Sequence, residues 1–158
     1  MPTFSRRLRL SILLVVALSA CPGEPEDKQE EISDVGQACL FSTLPDYPED
    51  TLEEDVFEED TPVQVQVVLN GCASACLSDI ETSCTAELSG TDINVSATAS
   101  YSVPQGDLDC PAVCVLISAT CETPALPAEA YTVSYAGDSL VLDVPSTTAT
   151  PCVGYAPF

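Results

Sequence analysis

The chain has no histidine and no tryptophan, and only four of its 158 residues are lysine or arginine. Without histidine there is no His-dependent triad, no His-based metal site and no ordinary general base near neutral pH. Without tryptophan the strongest aromatic platform for a sugar ring is missing. Glycine is scarce, at seven residues, and no glycine-rich phosphate loop occurs. From Thr61 to Phe158 there is no cationic side chain at all against ten acidic ones. No side-chain salt bridge can form within that stretch, and its electrostatics are net repulsive.

The few cations are placed unevenly. Arg6, Arg7 and Arg9 precede the apolar run Leu10–Leu18, and Ser19-Ala20 follows it. A basic n-region, an apolar h-region and small residues before a cleavage point make residues 1–20 a signal peptide. The apolar run is shorter than the about 20 residues a membrane-spanning helix needs. After the leader, Lys28 stands alone against 25 acidic residues. That balance disfavours nucleic acid, whose phosphates repel it, and adsorption to anionic lipid. A cationic or envelope protein partner, or a divalent ion, remains electrostatically permitted.

Leu18-Ser19-Ala20-Cys21 resembles the lipobox of bacterial lipoproteins. The resemblance implies that the Cys21 thiol carries a diacylglyceryl group and becomes the first residue of the mature chain. More than one acyl chain is needed for stable anchoring. Pro22, rather than aspartate, follows the cysteine. By analogy with enterobacterial sorting, this favours the outer membrane over inner-membrane retention, with the protein facing the periplasm or the cell surface.

There are nine cysteines. If Cys21 is lipidated, eight remain: Cys39, Cys72, Cys76, Cys84, Cys110, Cys114, Cys121 and Cys152. An exported chain meets an oxidising compartment, and an even set fits four disulfides. Eight cysteines allow 105 connectivities. Cys39 with Cys152 would tie the ends of the globule together, and Cys76 with Cys84 would close a local corner. Cys72-x3-Cys76-x7-Cys84 is echoed by Cys110-x3-Cys114-x6-Cys121, either as a duplication or as two corners stapled alike. The spacing is not that of common zinc ribbons, so no metal or other cofactor is expected.

Residues 21–60 carry 15 of the 25 acidic residues, several prolines and few large apolar side chains. Such a segment buries too little to offset its ordering entropy and reads as an acidic, partly disordered tether, with Pro22–Asp34 as a spacer. Leu52, Val56 and Phe57 in the run 52–60 suit a brief amphipathic turn or an exposed acidic loop. Cys39, which must pair, pins its neighbourhood to the domain.

From 61 to 158 the texture is that of strands. Val63–Leu69 alternates apolar and polar residues, and Asn70-Gly71 signals a turn. Cys84–Leu88 and Ile93–Val103 form a hairpin across Ser89-Gly90-Thr91, with a loop at Pro104–Asp107. Val113, Val115, Leu116 and Ile117 are ambiguous between helix and buried strand. Tyr131–Tyr135 and Leu140–Val144 form a second hairpin across Ala136–Ser139. Pro145 ends the last strand, and 146–158 reads as loop. Short alternating strands between turn signals predict an all-β fold: a small disulfide-rich antiparallel β-sandwich of the Ig-like or Greek-key type. Tyr131, just after a Leu-Pro corner, resembles the tyrosine corner of such sandwiches, whose hydroxyl bonds back to upstream backbone.

The stretch from about residue 70 to 145 resembles a group of cysteine-rich lipoproteins of Gram-negative bacteria. The residues concerned are Cys84–Leu88 leading into Ile93–Val95, Ala119–Leu126, and Tyr131–Val133 with Leu142–Pro145. The resemblance implies an envelope β-domain and brings no catalytic residues.

No catalytic constellation is apparent. Asp107 and Asp109 are the nearest candidates for a carboxylate pair of a small hydrolase, and they read as solvated loop acids. Tyr101, Tyr131, Tyr135 and Tyr155 keep a carbohydrate-binding domain open, as the acidic surface does for a divalent-cation-binding one. The sequence therefore points to a lipid-anchored envelope protein that is a structural or interaction module rather than an enzyme.

Overall fold

A computed structural model of the protein describes residues 27–42, 54–106 and 109–155. The expected signal segment 1–20, Cys21, Leu52 and Asp107 lie outside the described residues. Within them the chain forms eleven strands and no helix. They are β1 (Lys28–Ser33), β2 (Gln37–Ser42), β3 (Glu54–Phe57), β4 (Val63–Ser74), β5 (Ser78–Ser89), β6 (Asp92–Val103), β7 (Cys114–Glu122), β8 (Glu129–Tyr135), β9 (Asp138–Val144), β10 (Ser146–Ala149) and β11 (Cys152–Gly154).

The strands make two main sheets and a two-stranded ribbon. In the first sheet β6 pairs with β5 along one edge. Its other edge is shared: β1 lies antiparallel to residues 98–103, and β8 lies parallel to residues 92–94. β9 completes that sheet by pairing with β8. The second sheet runs β11-β2-β4-β7, all antiparallel. β3 and β10 form the ribbon. A disulfide-rich β-sandwich is thus what forms, with one departure from the antiparallel expectation. The chain leaves the first sheet after β6, runs through β7 in the second, and returns as β8 beside β6 in the same direction.

The period-2 pattern places the core. Along β6, Ile93, Val95, Ala97, Ala99 and Tyr101 are buried, while Asp92, Asn94 and Ser96 are exposed. Along β4, Val63, Val65, Val67 and Leu69 are buried. These two rows join Ala38 and Leu40 of β2, Ile117 and Ala119 of β7, Tyr131, Val133 and Tyr135 of β8, and Leu142 and Val144 of β9 in one apolar cluster. Burying a residue of Val or Leu size contributes about 1.5–3 kcal/mol, so this cluster is the main stabilising term beside the disulfides.

Several expectations are corrected. Residues 28–42 are not a tether. Lys28–Ser33 and Gln37–Ser42 are strands of the two sheets, and Ala38 and Leu40 are fully buried. The scarcity of apolar side chains concealed β1, which carries only one, Ile32, and takes its hydrogen bonds from β6. Asp34 holds the bend between them: its N–H donates to Ala97 O and its carboxylate accepts from Ala97 N–H, both at 2.9 Å. Residues 54–57 are a strand rather than an amphipathic turn or loop, with Phe57 in the core. Asn70-Gly71 is not a turn but part of a bulged stretch of β4. There Asn70 Oδ1 accepts from Cys72 N–H at 2.9 Å, so the turn-forming chemistry is used locally to kink a continuing strand. The ambiguous run at 113–117 enters a strand, with Ile117 buried and Leu116 facing out. After the cis peptide at Val144-Pro145 the chain does not trail off, but forms β10 and β11.

The tyrosine corner is present. Tyr131 Oη donates to Pro127 O, four residues upstream, at 2.9 Å. Tyr135 makes a longer connection, donating to Val35 O at 2.6 Å across 100 residues. It thereby fastens the β1–β2 bend to the end of β8.

Candidate functional site

All eight cysteines after Cys21 are paired: Cys39–Cys152, Cys72–Cys114, Cys76–Cys110 and Cys84–Cys121. The first is the expected closure of the globule's ends, and it links directly opposed residues of β2 and β11. The expected Cys76–Cys84 corner does not form. The two triplets are not two similarly stapled corners; they are bonded to one another, Cys72 and Cys76 crossing to Cys114 and Cys110 in reverse order, with Cys84 reaching Cys121. Sequence spacing cannot reveal this, because each partner lies 34 to 42 residues away and only the approach of β4 and β5 to β7 sets the pairing. The bonded sulfurs are neither free nucleophiles nor thiolate ligands.

The outer face of the first sheet is the most distinctive polar surface. Ser33, Thr98 and Ser83 line up across β1, β6 and β5, as do Glu31, Ser100 and Glu81 in the next row. Thr85 and Ser96 hydroxyls meet at 2.9 Å across the β5–β6 pair. At the far end Ser102, buried on the same face, donates to Asp79 Oδ2 at 2.9 Å and accepts from Gln29. Asp79 sits in a left-handed conformation at the bulge of β5 and also accepts from Ser78 at 3.0 Å. Between the network and the hairpin turn lies a shallow open depression of about 290 Å³, lined by Glu31, Glu81, Thr82, Ser83, Thr98 and Ser100. Its two carboxylates flank Ser100 from opposite neighbouring strands. No residue of this depression was singled out from sequence. The row that joins Glu31 to Glu81 depends on β1 docking beside β6, which no local pattern reports.

The remaining candidates are dispersed. Asp109 is exposed. Tyr101, Tyr131 and Tyr135 are core residues, so of the four candidate tyrosines only Tyr155, 81% exposed, can offer a ring to a ligand. Burial pushes the Tyr131 hydroxyl above its usual range, helped by Glu129 and Asp60. Burial, reinforced by Asp34, pushes Tyr135 up to about 12. Among the described residues the single ion pair is Lys28–Glu30, at 2.7 Å and exposed. No three acidic or cysteine side chains among them converge closely enough to hold a metal ion.

Comparison with protein-family models, with curated proteins and with solved structures returned no match. The functional reading therefore rests on residues and geometry.

Proposed function

We propose that this protein is a lipid-anchored component of a bacterial cell envelope whose β-sandwich is a non-enzymatic structural or interaction module. One observation carries the reading: nine cysteines are present and eight are bonded to each other, which leaves Cys21 of the lipobox-like segment as the only one without a disulfide partner. Disulfides in this number also fit an oxidising compartment outside the cytoplasm. Because β1 begins at Lys28, the backbone between anchor and sandwich spans at most about 25 Å. The domain would sit close to the bilayer.

A Cys21→Ser variant is expected to lose lipid labelling and membrane fractionation while keeping all four disulfides. Retention in the membrane fraction after signal cleavage would overturn the reading. A second reading, a carbohydrate or divalent-cation binder, is favoured by the hydroxyl- and carboxylate-lined depression. Calorimetry with calcium and a glycan array, on the parent and on Glu31→Gln/Glu81→Gln, separates the two.

A further inference from the structure

The β9 strand is an edge whose charges, Asp138 and Asp143, stand toward its ends and leave its centre bare. The outer edge of β1 is guarded by Lys28, Glu30 and Glu31, β11 is only three residues long, and the edges of β5 and β7, which carry Glu81, Glu87 and Glu122, are bridged to each other by Cys84–Cys121. β9, Asp138–Val144, is seven residues long and among the described residues pairs only with β8. Its outward-facing Val141 is 67% exposed, the highest value for a large apolar side chain in any described strand.

The register fixes which backbone groups are open. Ala136 and Gly137, both at positive φ, form the two-residue loop that Tyr135 and Asp138 close. Such a loop is closed by a hydrogen-bonded pair, and bonded pairs then alternate along the ladder. Tyr135–Asp138, Val133–Leu140 and Tyr131–Leu142 are therefore bonded, whereas Thr132–Val141 is not. The Thr132 N–H confirms this by donating the other way, to Thr91 O at 2.9 Å on the β6 side. The N–H and C=O groups of Ser139, Val141 and Asp143 consequently point away from β8, along the open edge.

We propose that this edge pairs with β9 of a second copy of the chain, antiparallel and about a two-fold axis at Val141, joining two first sheets into one. In that register Val141 faces Val141 of the other copy, and Ser139 faces Asp143 at both ends. Each pair is of the bonded kind, so all three open N–H and all three open C=O groups on each copy find partners. The two exposed valines cover one another. No carboxylate opposes a carboxylate, and each Asp143 faces a hydroxyl donor. The edge is self-complementary, as a two-fold interface requires. The net acidity of the chain opposes association, so the dimer is strengthened by salt.

The test uses the mature chain, residues 21–158, carrying Cys21→Ser, so that neither the apolar leader, an acyl group nor a free thiol contributes to association. Sedimentation equilibrium in 0.5 M sodium chloride, where the screening length is about 4 Å, is expected to show a reversible dimer. Ser139→Lys places a cation against each Asp143 and tightens the dimer about fivefold relative to Ser89→Lys, which makes the same charge change on β5. Ser139→Asp loosens it by a similar factor, and Val141→Lys, which sets two ammonium groups together on the axis, abolishes it. A parent chain that stays monomeric to millimolar concentration overturns the proposal. So does a dimer that survives Val141→Lys, or a shift in the same direction for Ser139→Lys and Ser139→Asp.

Discussion

Removing the Cys39–Cys152 bridge by a double substitution to serine should be the most damaging disulfide deletion in this protein. The bonded residues are 113 apart in sequence. In the unfolded chain, however, Cys72–Cys114 provides a shortcut, and the loop that Cys39–Cys152 adds is about 70 residues. The chain-entropy relation gives about 4 kcal/mol for that closure. The corresponding shortcut through Cys76–Cys110 leaves Cys84–Cys121 a loop of about 20 residues, hence about 3 kcal/mol. The native state adds a local term. β11 is three residues long and is held by its ladder to β2, by buried Val153 and by the Tyr155 N–H bond to Gly36 O at 3.0 Å. Urea unfolding of the otherwise oxidised variant, followed by far-ultraviolet dichroism, is expected to show stability lower by about 4 kcal/mol and Tm lower by roughly 15 °C. The m-value should rise, because the freed unfolded chain expands. The Cys84→Ser/Cys121→Ser variant should lose less. A loss under about 1 kcal/mol with an unchanged m-value, or the reverse order of the two variants, would refute the loop-entropy reasoning.

Two further substitutions probe how the bends are held. Tyr135→Phe leaves Val35 O without its donor and should cost about 1–2 kcal/mol near neutral pH. Because the folded pKa of Tyr135 is raised to about 12, its contribution is whole below pH 10 and is lost between about pH 10 and 12. The parent should therefore lose stability across that window more steeply than Tyr135→Phe in alkaline denaturation, and parallel pH profiles would contradict the assignment. Gly154→Ala places a Cβ 2.5 Å from Gly36 O on a backbone with φ of +92°, so it should destabilise by about 2 kcal/mol or more. An unchanged melting temperature would show that β11 is not held against the β1–β2 bend as described.

The all-β class and the hairpins were legible in the sequence because alternation over Ile93–Val103 and Tyr131–Tyr135 reports burial directly. The tyrosine corner was legible because Tyr131 and its acceptor at Pro127 are four residues apart. Residues 28–42 were misread for the opposite reason. β1 spends its backbone hydrogen bonds on β6, some 70 residues away, and contributes little apolar area of its own. Composition measures area, not hydrogen bonding, and so mistakes a polar edge strand for a linker. β10 and β11 were missed likewise, being short and following a proline that ends the strand before it.

By itself the sequence determined the period-2 strands, the even set of cysteines after Cys21 and the near-absence of cations, since each is a property of local pattern or of count. Only the tertiary structure decided which sulfurs meet, that β8 runs parallel to β6, that Glu31 and Glu81 share one face, and that β9 is left with an open edge. Those depend on contacts between residues far apart in the chain, where the docking of one strand on another, and not the pattern within either, sets the outcome.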